Sequence, residues 1–168
     1  HATRDYQLHH DIKPLPNGHV LALMVERKSV QDAVAAGFNP QLLRDDYLVP
    51  DAVVEIEPIR PKGGRIVWEW HVWDHLVRNA DPTAHPELID PNATDRGMPA
   101  FWNHMNSLDY NASLDQIVLS VRGNSGIWMS TNQLGPRVEG KDEVALSQGA
   151  EPPRTAEEKA LHAQIRAG

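Results

Sequence analysis

Residues 101–128 read FWNHMNSLDYNASLDQIVLSVRGNSGIW. Two runs with many apolar residues flank a polar segment, Asn111–Asp115, whose side chains are typical of a turn. The second run, residues 116–122, is mostly apolar up to its final arginine, as in a strand that is covered on both faces. The stretch therefore predicts a β-hairpin, followed by a second turn at residues 123–126.

The polar side chains of this hairpin suggest an anion site. His104 and Asn106 are two residues apart, so on a strand both would leave the same face, and Arg122 ends the second run. Imidazole and amide groups supply hydrogen bonds, and a guanidinium offers a planar fork to a sulfate, phosphate or carboxylate. The plainer interpretation is a surface strand with a solvated histidine and an arginine at its rim. The hairpin taken alone favours that interpretation.

The composition is that of a soluble globular protein with one ordinary domain. The chain has 168 residues, of which 40% are hydrophobic and 23% are charged, and its net charge is −7. That charge argues against a nucleic-acid partner, and no window approaches the roughly 18 apolar residues of a membrane span. The absence of cysteine excludes disulfides and thiolate chemistry. The chain begins at His1 without a signal peptide, and we interpret it as incomplete.

A second hairpin is predicted near the start of the chain. Asp5–Ile12 reads as a strand, Asn17-Gly18 as a tight turn, and residues 19–25 as the second arm. His10 and His104 occupy comparable places in the two hairpins, about 90 residues apart. This layout suggests a repeat architecture with long insertions, although two unrelated hairpins could converge on it.

The first hairpin has two further strands after it. Residues 51–57 alternate between apolar and polar side chains, and residues 65–70 form their predicted antiparallel partner. The first unit then contains four strands, at about 5–12, 19–26, 51–57 and 65–71. Four short antiparallel strands per repeat is the construction of a β-propeller blade.

A short helix is predicted within the insertion that follows the first hairpin. Ser29 can cap this helix, Asp32 stands at the spacing of a capping box, and Gly37 ends it before Phe38. Residues 39–50 are predicted to be a loop.

The densest group of aromatic and histidine side chains is Trp68–His75. A helical turn here would bring His71 and His75 four residues apart, a spacing that can chelate a metal, but Val72 replaces the glutamate of the H-E-x-x-H signature. Aromatic packing between blades is the better interpretation. A further hypothesis is a wider metal site built from His9, His10, Asp11, His71, Asp74 and His75.

The remaining segments carry weaker signals. Residues 79–100 predict a long loop, which in a compact domain is usually functional or disordered. Residues 131–153 have few apolar side chains, and Thr155–Glu158 is a capping box that opens a short helix to about Ala167. We therefore divide the chain at residue 130, with residues 131–168 as a linker or disordered tail that includes this helix.

Taken together, the motifs resemble the arylsulfotransferase (aryl-sulfate sulfotransferase) family. The resemblance covers residues 5–130 in order, and the motifs that carry it are His9–Ile12, Leu15–Gly18, Val67–His71, Asp74-His75, His85–Asp90, His104–Ser107 and Leu114–Ser120. It implies an all-β fold, a six-bladed β-propeller with the active site in its central channel. It also implies transfer of a sulfuryl group between phenols through a sulfated histidine, without a nucleotide donor or any other cofactor.

The resemblance also assigns the site residues. It implies catalytic roles for His10, His104 and Arg122, and substrate-binding roles for Asn106 and His9. His10 is preferred to His9 as the channel histidine because it directly precedes an acidic residue. The implied partners are an aryl sulfate and a phenol, and the implied location is periplasmic or secreted. The oligomeric state stays open, with a homodimer as one option.

The chain departs from the family pattern at one decisive place. The nucleophilic histidine of the family lies on a later blade, so the resemblance implies that it lies outside this chain. About two blades are expected here, and we expect this chain alone to be inactive. A non-catalytic propeller module that binds a ligand or partner is the alternative function.

Overall fold

The computed structural model describes residues 6–78, 88–93, 98–123 and 126–131. Within these ranges the chain forms nine β-strands, one short α-helix and one turn of 3-10 helix. The helix α1 spans Val30–Ala35, and the 3-10 turn spans Val72–His75. The strands are β1 (Tyr6–Pro14), β2 (Val20–Glu26), β3 (Lys28–Ser29), β4 (Tyr47–Leu48), β5 (Asp51–Pro58), β6 (Gly64–His71), β7 (Met105–Asn111), β8 (Gln116–Val121) and β9 (Gly126–Thr131).

The strands form two main antiparallel sheets. The first has the order β1-β2-β5-β6, and the second has the order β7-β8-β9. The predicted fold class is confirmed: the chain is all-β, with one four-stranded unit and one partial unit arranged like propeller blades. The predicted C-terminal helix lies outside the described residues, and the division of the chain at residue 130 stays a prediction.

The two sheets share one hydrophobic core. Alternation along the strands of the first sheet turns Leu21, Leu23 and Val53 toward this core, together with Trp68 and Trp70. The second sheet contributes the buried side chains of Met105, Leu108, Ile117, Leu119 and Val121 to the same cluster. The opposite face of the first sheet buries a separate cluster, Ala22, Met24, Ala52, Val54, Ile56 and Ile66. The first sheet is therefore buried on both faces, as its apolar runs indicate.

The predicted capping box of the insertion is present. The Ser29 hydroxyl accepts a hydrogen bond from the backbone N–H of Asp32 at 3.1 Å, and the Asp32 carboxylate accepts one from the backbone N–H of Ser29 at 3.2 Å. The chain leaves the helix through Gly37, whose φ of 96° is left-handed. Residues 39–50 were predicted to be a loop, but residues 47–48 within them form β4, which pairs with β3.

Two described parts of the predicted loop 79–100 return to the first unit. Ile89 forms a parallel bridge with Leu76, and Met98 forms one with Leu43. The backbone N–H of Ala100 donates to the Asp45 carboxylate at 2.8 Å. These contacts hold the segment that leads into β7 against the insertion of the first unit. None of the helices in the described ranges has the length and apolar character that crossing a membrane requires.

Candidate active site between the two sheets

The first strands of the two sheets lie beside each other. The Asp11 carboxylate on β1 accepts a hydrogen bond from the backbone N–H of Leu108 on β7 at 3.0 Å. At the surface, Lys13 on β1 forms an ion pair with Asp109 on β7 at 2.7 Å. This junction brings together two segments that are far apart in sequence.

The junction places two predicted site histidines in contact. The ring centroids of His10 and His104 are 4.9 Å apart, and the rings meet edge to face at 72°. Both residues have left-handed backbones, with φ of 52° for His10 and 42° for His104, and each adjoins an irregularity in the pairing of its strand. Left-handed φ is uncommon for residues other than glycine and persists only where the surroundings hold it. Both sheets thus use a local backbone irregularity to aim a histidine at the same place.

A buried aspartate holds the His104 segment from the side of the first sheet. Asp51, the first residue of β5, is fully buried. Its carboxylate accepts a hydrogen bond from the Met105 N–H at 3.2 Å, and its own N–H donates to the side-chain oxygen of Asn103 at 3.4 Å. The two neighbours of His104 are therefore both attached to Asp51, which fixes the backbone position of the histidine between them.

The turn after β8 holds the same segment from the other side. The N–H of Arg122 donates to the carbonyl of His104 at 3.1 Å, and the N–H of Gly123 donates to the carbonyl of Asn103 at 2.9 Å. A Cβ at position 123 would overlap the carbonyl oxygen of Trp102, so this close approach requires glycine. Arg122 is exposed and stands beside His104 through this pairing.

The neighbouring histidines His9 and His10 face different surroundings. The Nε2 atom of His9 lies 2.8 Å from the Asp51 carboxylate, whereas His10 is exposed and contacts His104. The Nδ1 atoms of the two neighbours are 2.7 Å apart. His9 therefore lies behind His10, between it and the buried carboxylate.

The surroundings of His104 favour its neutral form. Burial lowers the pKa of His104 below its ordinary value of 6.5, and the nearby His10 and Arg122 lower the pKa further. An uncharged imidazole can donate one hydrogen bond and accept another near neutral pH. Arg122 then supplies the permanent positive charge beside it.

The strand on which the sequence argument for His104 and Asn106 relied does not include His104. That argument placed His104 and Asn106 on one strand face, but β7 begins at Met105, and His104 precedes it with a left-handed backbone. The pairing of β7 shifts between Met105 and Ser107, so the simple alternation of side chains does not hold across this point. Asn106 is exposed at this irregularity.

Sequence reasoning also missed two residues that position the site. In the sequence pattern Asp51 is only the start of an alternating strand, and Asn103 belongs to no motif. Both are buried polar residues, with relative exposures of 0% and 1%. The sequence marks neither residue, because an aspartate at the start of a strand usually lies in solvent.

The Trp68–His75 segment forms part of the packed structure. The Nε2 atom of His75 accepts a hydrogen bond from the Trp70 indole at 3.0 Å, and its Nδ1 lies 2.9 Å from the carbonyl of His71. Both nitrogens of His75 therefore have partners already. Within the described ranges no group of three or more histidine, aspartate or glutamate side chains is arranged to hold a metal ion.

Comparison with known families assigns the chain to a family. The family model described as Arylsulfotransferase (ASST) matches residues 2–135, which is most of the chain. The chain belongs to the arylsulfotransferase family. Neither a curated protein nor a solved structure matches it. The match includes both sheets and the segment that joins them, so the candidate active site lies within the family domain.

Proposed function

We propose that this chain is part of an aryl-sulfate sulfotransferase that transfers a sulfuryl group between phenolic compounds through a sulfated histidine. The main support is the meeting of His10 and His104 at the junction of the two sheets, with Arg122 attached beside them. Family membership supports sulfuryl transfer in general. The cluster of His10, His104 and Arg122 supports the junction of the two sheets as the place where the transfer occurs.

The chemistry of the cluster suits a sulfate ester. The Arg122 guanidinium can bind two sulfate oxygens at once, and the neutral His104 imidazole can donate a hydrogen bond to a third. These fixed donors stabilise the charge that spreads over the oxygens during transfer. The S–O bond to the donor phenol breaks as the sulfur bonds to the nucleophilic histidine, and His10 protonates the departing phenolate. In the second half, His10 takes the proton of the acceptor phenol as the sulfuryl group leaves the histidine.

The same proposal covers the rest of the assembly. The two sheets are two blades of a six-bladed ring, and the nucleophilic histidine lies on a later blade outside this chain. The substrates are an aryl sulfate and a phenol, no cofactor takes part, and the protein works in the periplasm or after secretion. Asn106 is exposed close to His104 and remains a proposed substrate contact.

Anion binding gives the direct test. Purified residues 1–168 are titrated with a chromogenic aryl sulfate, and the affinity is compared with that of Arg122→Lys. An ammonium cannot reproduce the bidentate fork, so we expect affinity to fall by about tenfold. Arg65→Lys is the matched control, because Arg65 is an exposed arginine paired with Glu57 on β5, and its affinity should match that of the unaltered chain. Equal affinity in Arg122→Lys would refute the assigned role.

Turnover tests the assignment of the nucleophile. Without the later-blade histidine no covalent intermediate forms, so we expect residues 1–168 to release no phenol from the aryl sulfate. Mass spectrometry of the incubated chain should show no sulfated histidine. Turnover with sulfate on His10 or His104 would show that the nucleophile lies within this chain. Binding without turnover by the complete ring of blades would favour the non-catalytic alternative.

A further inference from the structure

A continuous chain of contacts leads from a buried carboxylate to the exposed histidine of the site. Asp51 is fully buried, the side chain of His9 is 14% exposed, and His10 is exposed. The Asp51 carboxylate lies 2.8 Å from Nε2 of His9, and Nδ1 of His9 lies 2.7 Å from Nδ1 of His10. Both separations are short enough for a hydrogen bond, but only the contact between the Nδ1 atoms has the geometry of one; Nε2 of His9 is buried close to the carboxylate without a hydrogen-bond partner.

These contacts determine which nitrogens carry protons. A carboxylate 2.8 Å from Nε2 of His9 would repel a lone pair there, so that nitrogen carries the proton of the neutral ring. Nδ1 of His9 is then an acceptor. The 2.7 Å contact between the two Nδ1 atoms requires one donor, and this donor is Nδ1 of His10. The other nitrogen of His10, Nε2, is left with a free lone pair.

The Asp51 carboxylate can stabilise an additional positive charge close to it. The N–H of His9 does not point directly at the near oxygen of Asp51, and the far oxygen, Oδ2, is buried without a hydrogen-bond partner. A buried acceptor without a partner is costly, and a more strongly charged donor nearby reduces that cost. A doubly protonated His9 would be such a donor after a small rotation of its ring.

We propose that Asp51 and His9 act as positioning residues for His10 and form a proton relay with it. The Asp51–His9 pair holds His10 in the Nδ1–H form, so that its Nε2 is the base that faces the acceptor phenol. When Nε2 takes the phenol proton, the proton on Nδ1 of His10 moves to Nδ1 of His9. The positive charge then lies on His9 beside Asp51. The first half of the reaction starts after the pair has taken one further proton from solvent, so that His9 is charged beside Asp51 and His10 carries its proton on Nε2. The reverse transfers deliver that Nε2 proton to the departing phenolate, and the second half restores it from the acceptor phenol, so protons balance over the two halves.

The relay keeps positive charge away from His104 and Arg122. A protonated His10 would lie in edge-to-face contact with His104, next to the permanent charge of Arg122. Like charges at this separation repel each other. Moving the charge to His9 places it against a carboxylate, while His104 and Arg122 remain available to the sulfate. The relay's part in catalysis rests on the proposed function, but the protonation pattern does not.

Nuclear magnetic resonance can read this pattern without any substrate. The 168-residue chain is labelled with 15N at its histidine rings, and long-range 1H–15N spectra assign a tautomer to each neutral ring. The His9 and His10 signals are identified from the peaks that His9→Leu and His10→Gln remove. We expect His9 in the Nε2–H form and His10 in the Nδ1–H form, although a neutral histidine in water favours Nε2–H. An Nε2–H form for His10 in the unaltered chain would overturn the proposal.

Two variants test the cause. Asp51→Asn keeps an oxygen for the Met105 N–H but removes the charge, so we expect His10 to change to the Nε2–H form. Asp11→Asn is the control, because Asp11 accepts a hydrogen bond across the same strand junction and should leave the tautomer unchanged. If Asp51→Asn does not fold, His9→Leu removes the acceptor for Nδ1 of His10 and should cause the same change. Retention of the Nδ1–H form in a folded variant of either kind would overturn the relay.

The outcomes separate this inference from the proposed function. If the unaltered chain does not bind aryl sulfate but shows the predicted tautomers, the proposed sulfotransferase function is refuted and the protonation pattern of the relay is supported. Normal binding that depends on Arg122, together with an Nε2–H form of His10, would keep the role and remove the relay.

Discussion

Two histidines of this chain, His104 and His71, have opposite electrostatic surroundings. His104 lies between the two sheets, where burial and then its neighbours His10 and Arg122 lower its pKa. Burial also disfavours the charged form of His71, but contacts with Glu26 at 3.2 Å and Glu69 at 3.4 Å outweigh it and raise the pKa of His71 to about 9. His71 is therefore charged at neutral pH, whereas His104 is neutral.

The difference follows from the two faces of the first sheet. His71 pairs with Ala52, and Glu69 pairs with Val54, so both side chains share the face of the second hydrophobic cluster. Asp51 is one residue from Ala52 and points to the other face, toward the second sheet. A neutral histidine beside an exposed arginine suits acid–base and anion chemistry, and a charged histidine between two carboxylates suits a structural role. A high local density of histidines therefore does not by itself locate a functional site.

Gly123→Ala should have a greater effect than the other changes, and it disturbs the surroundings of His104 but not those of His71. The new methyl group overlaps the carbonyl of Trp102, so the turn that carries Arg122 must move. We expect a loss of about 3 kcal/mol in the free energy of unfolding, measured with urea, and weaker aryl-sulfate binding. Gly18→Ala is the control, because position 18 has open space around it and only a left-handed φ of 86° to oppose alanine. It should cost about 1 kcal/mol and leave binding unchanged; equal effects of the two changes would contradict the steric account.

The raised pKa of His71 predicts that the free energy of unfolding depends on pH. The folded pKa of about 9 lies above the ordinary value of 6.5, so the stabilisation is fully present below pH 6.5 and is lost as pH rises through 9. The unaltered chain should lose up to about 3 kcal/mol of unfolding free energy across this window. His71→Gln should show little change over the same range. Urea denaturation at several pH values measures both, and parallel curves for the two proteins would refute the assignment.

A paired substitution separates the two histidines by function. His104→Gln should weaken aryl-sulfate binding by roughly fivefold to tenfold, because it removes a positioned donor next to Arg122. His71→Gln should leave the affinity unchanged.

In the unaltered chain affinity should rise as pH falls through the lowered pKa of His104, because a protonated ring adds positive charge. Isothermal titration calorimetry at several pH values measures these affinities, and a larger loss in His71→Gln would reverse the comparison.

The smallest expected effect is that of Lys28→Met. Lys28 pairs with Glu26 at 2.7 Å and supports the low pKa of that carboxylate, which burial by itself would raise. Glu26 keeps its contact with His71, so we expect a loss of about 1 kcal/mol or less in unfolding free energy. Binding of aryl sulfate should not change. A loss as large as that of Gly123→Ala would mean that Lys28, rather than His71, is the main partner of Glu26.

Local rules account for the elements that the sequence predicts correctly. Alternation and turn residues located the four strands of the first sheet, and the spacing of Ser29 and Asp32 located the capping box. These features depend on residues a few positions apart, so a short window of sequence contains their cause. The same rules failed at His104 and Asn106, where the backbone irregularity at the start of β7 depends on contacts with Asp51 and the turn after β8.

The sequence was therefore sufficient to predict the four strands of the first sheet, the hairpin of β7 and β8, and the family motifs that contain the histidines, but not β4 or the irregular start of β7. Only the tertiary structure decided that His9 faces Asp51 while His10 faces His104, since the two neighbours are alike in sequence. It also decided that Asp51 is buried at the junction, and it brought Asp11 to Leu108, 97 residues further along the chain. The physical reason is that protonation and charge depend on the nearest groups in space, and those groups come from strands that meet only when the two sheets pack together.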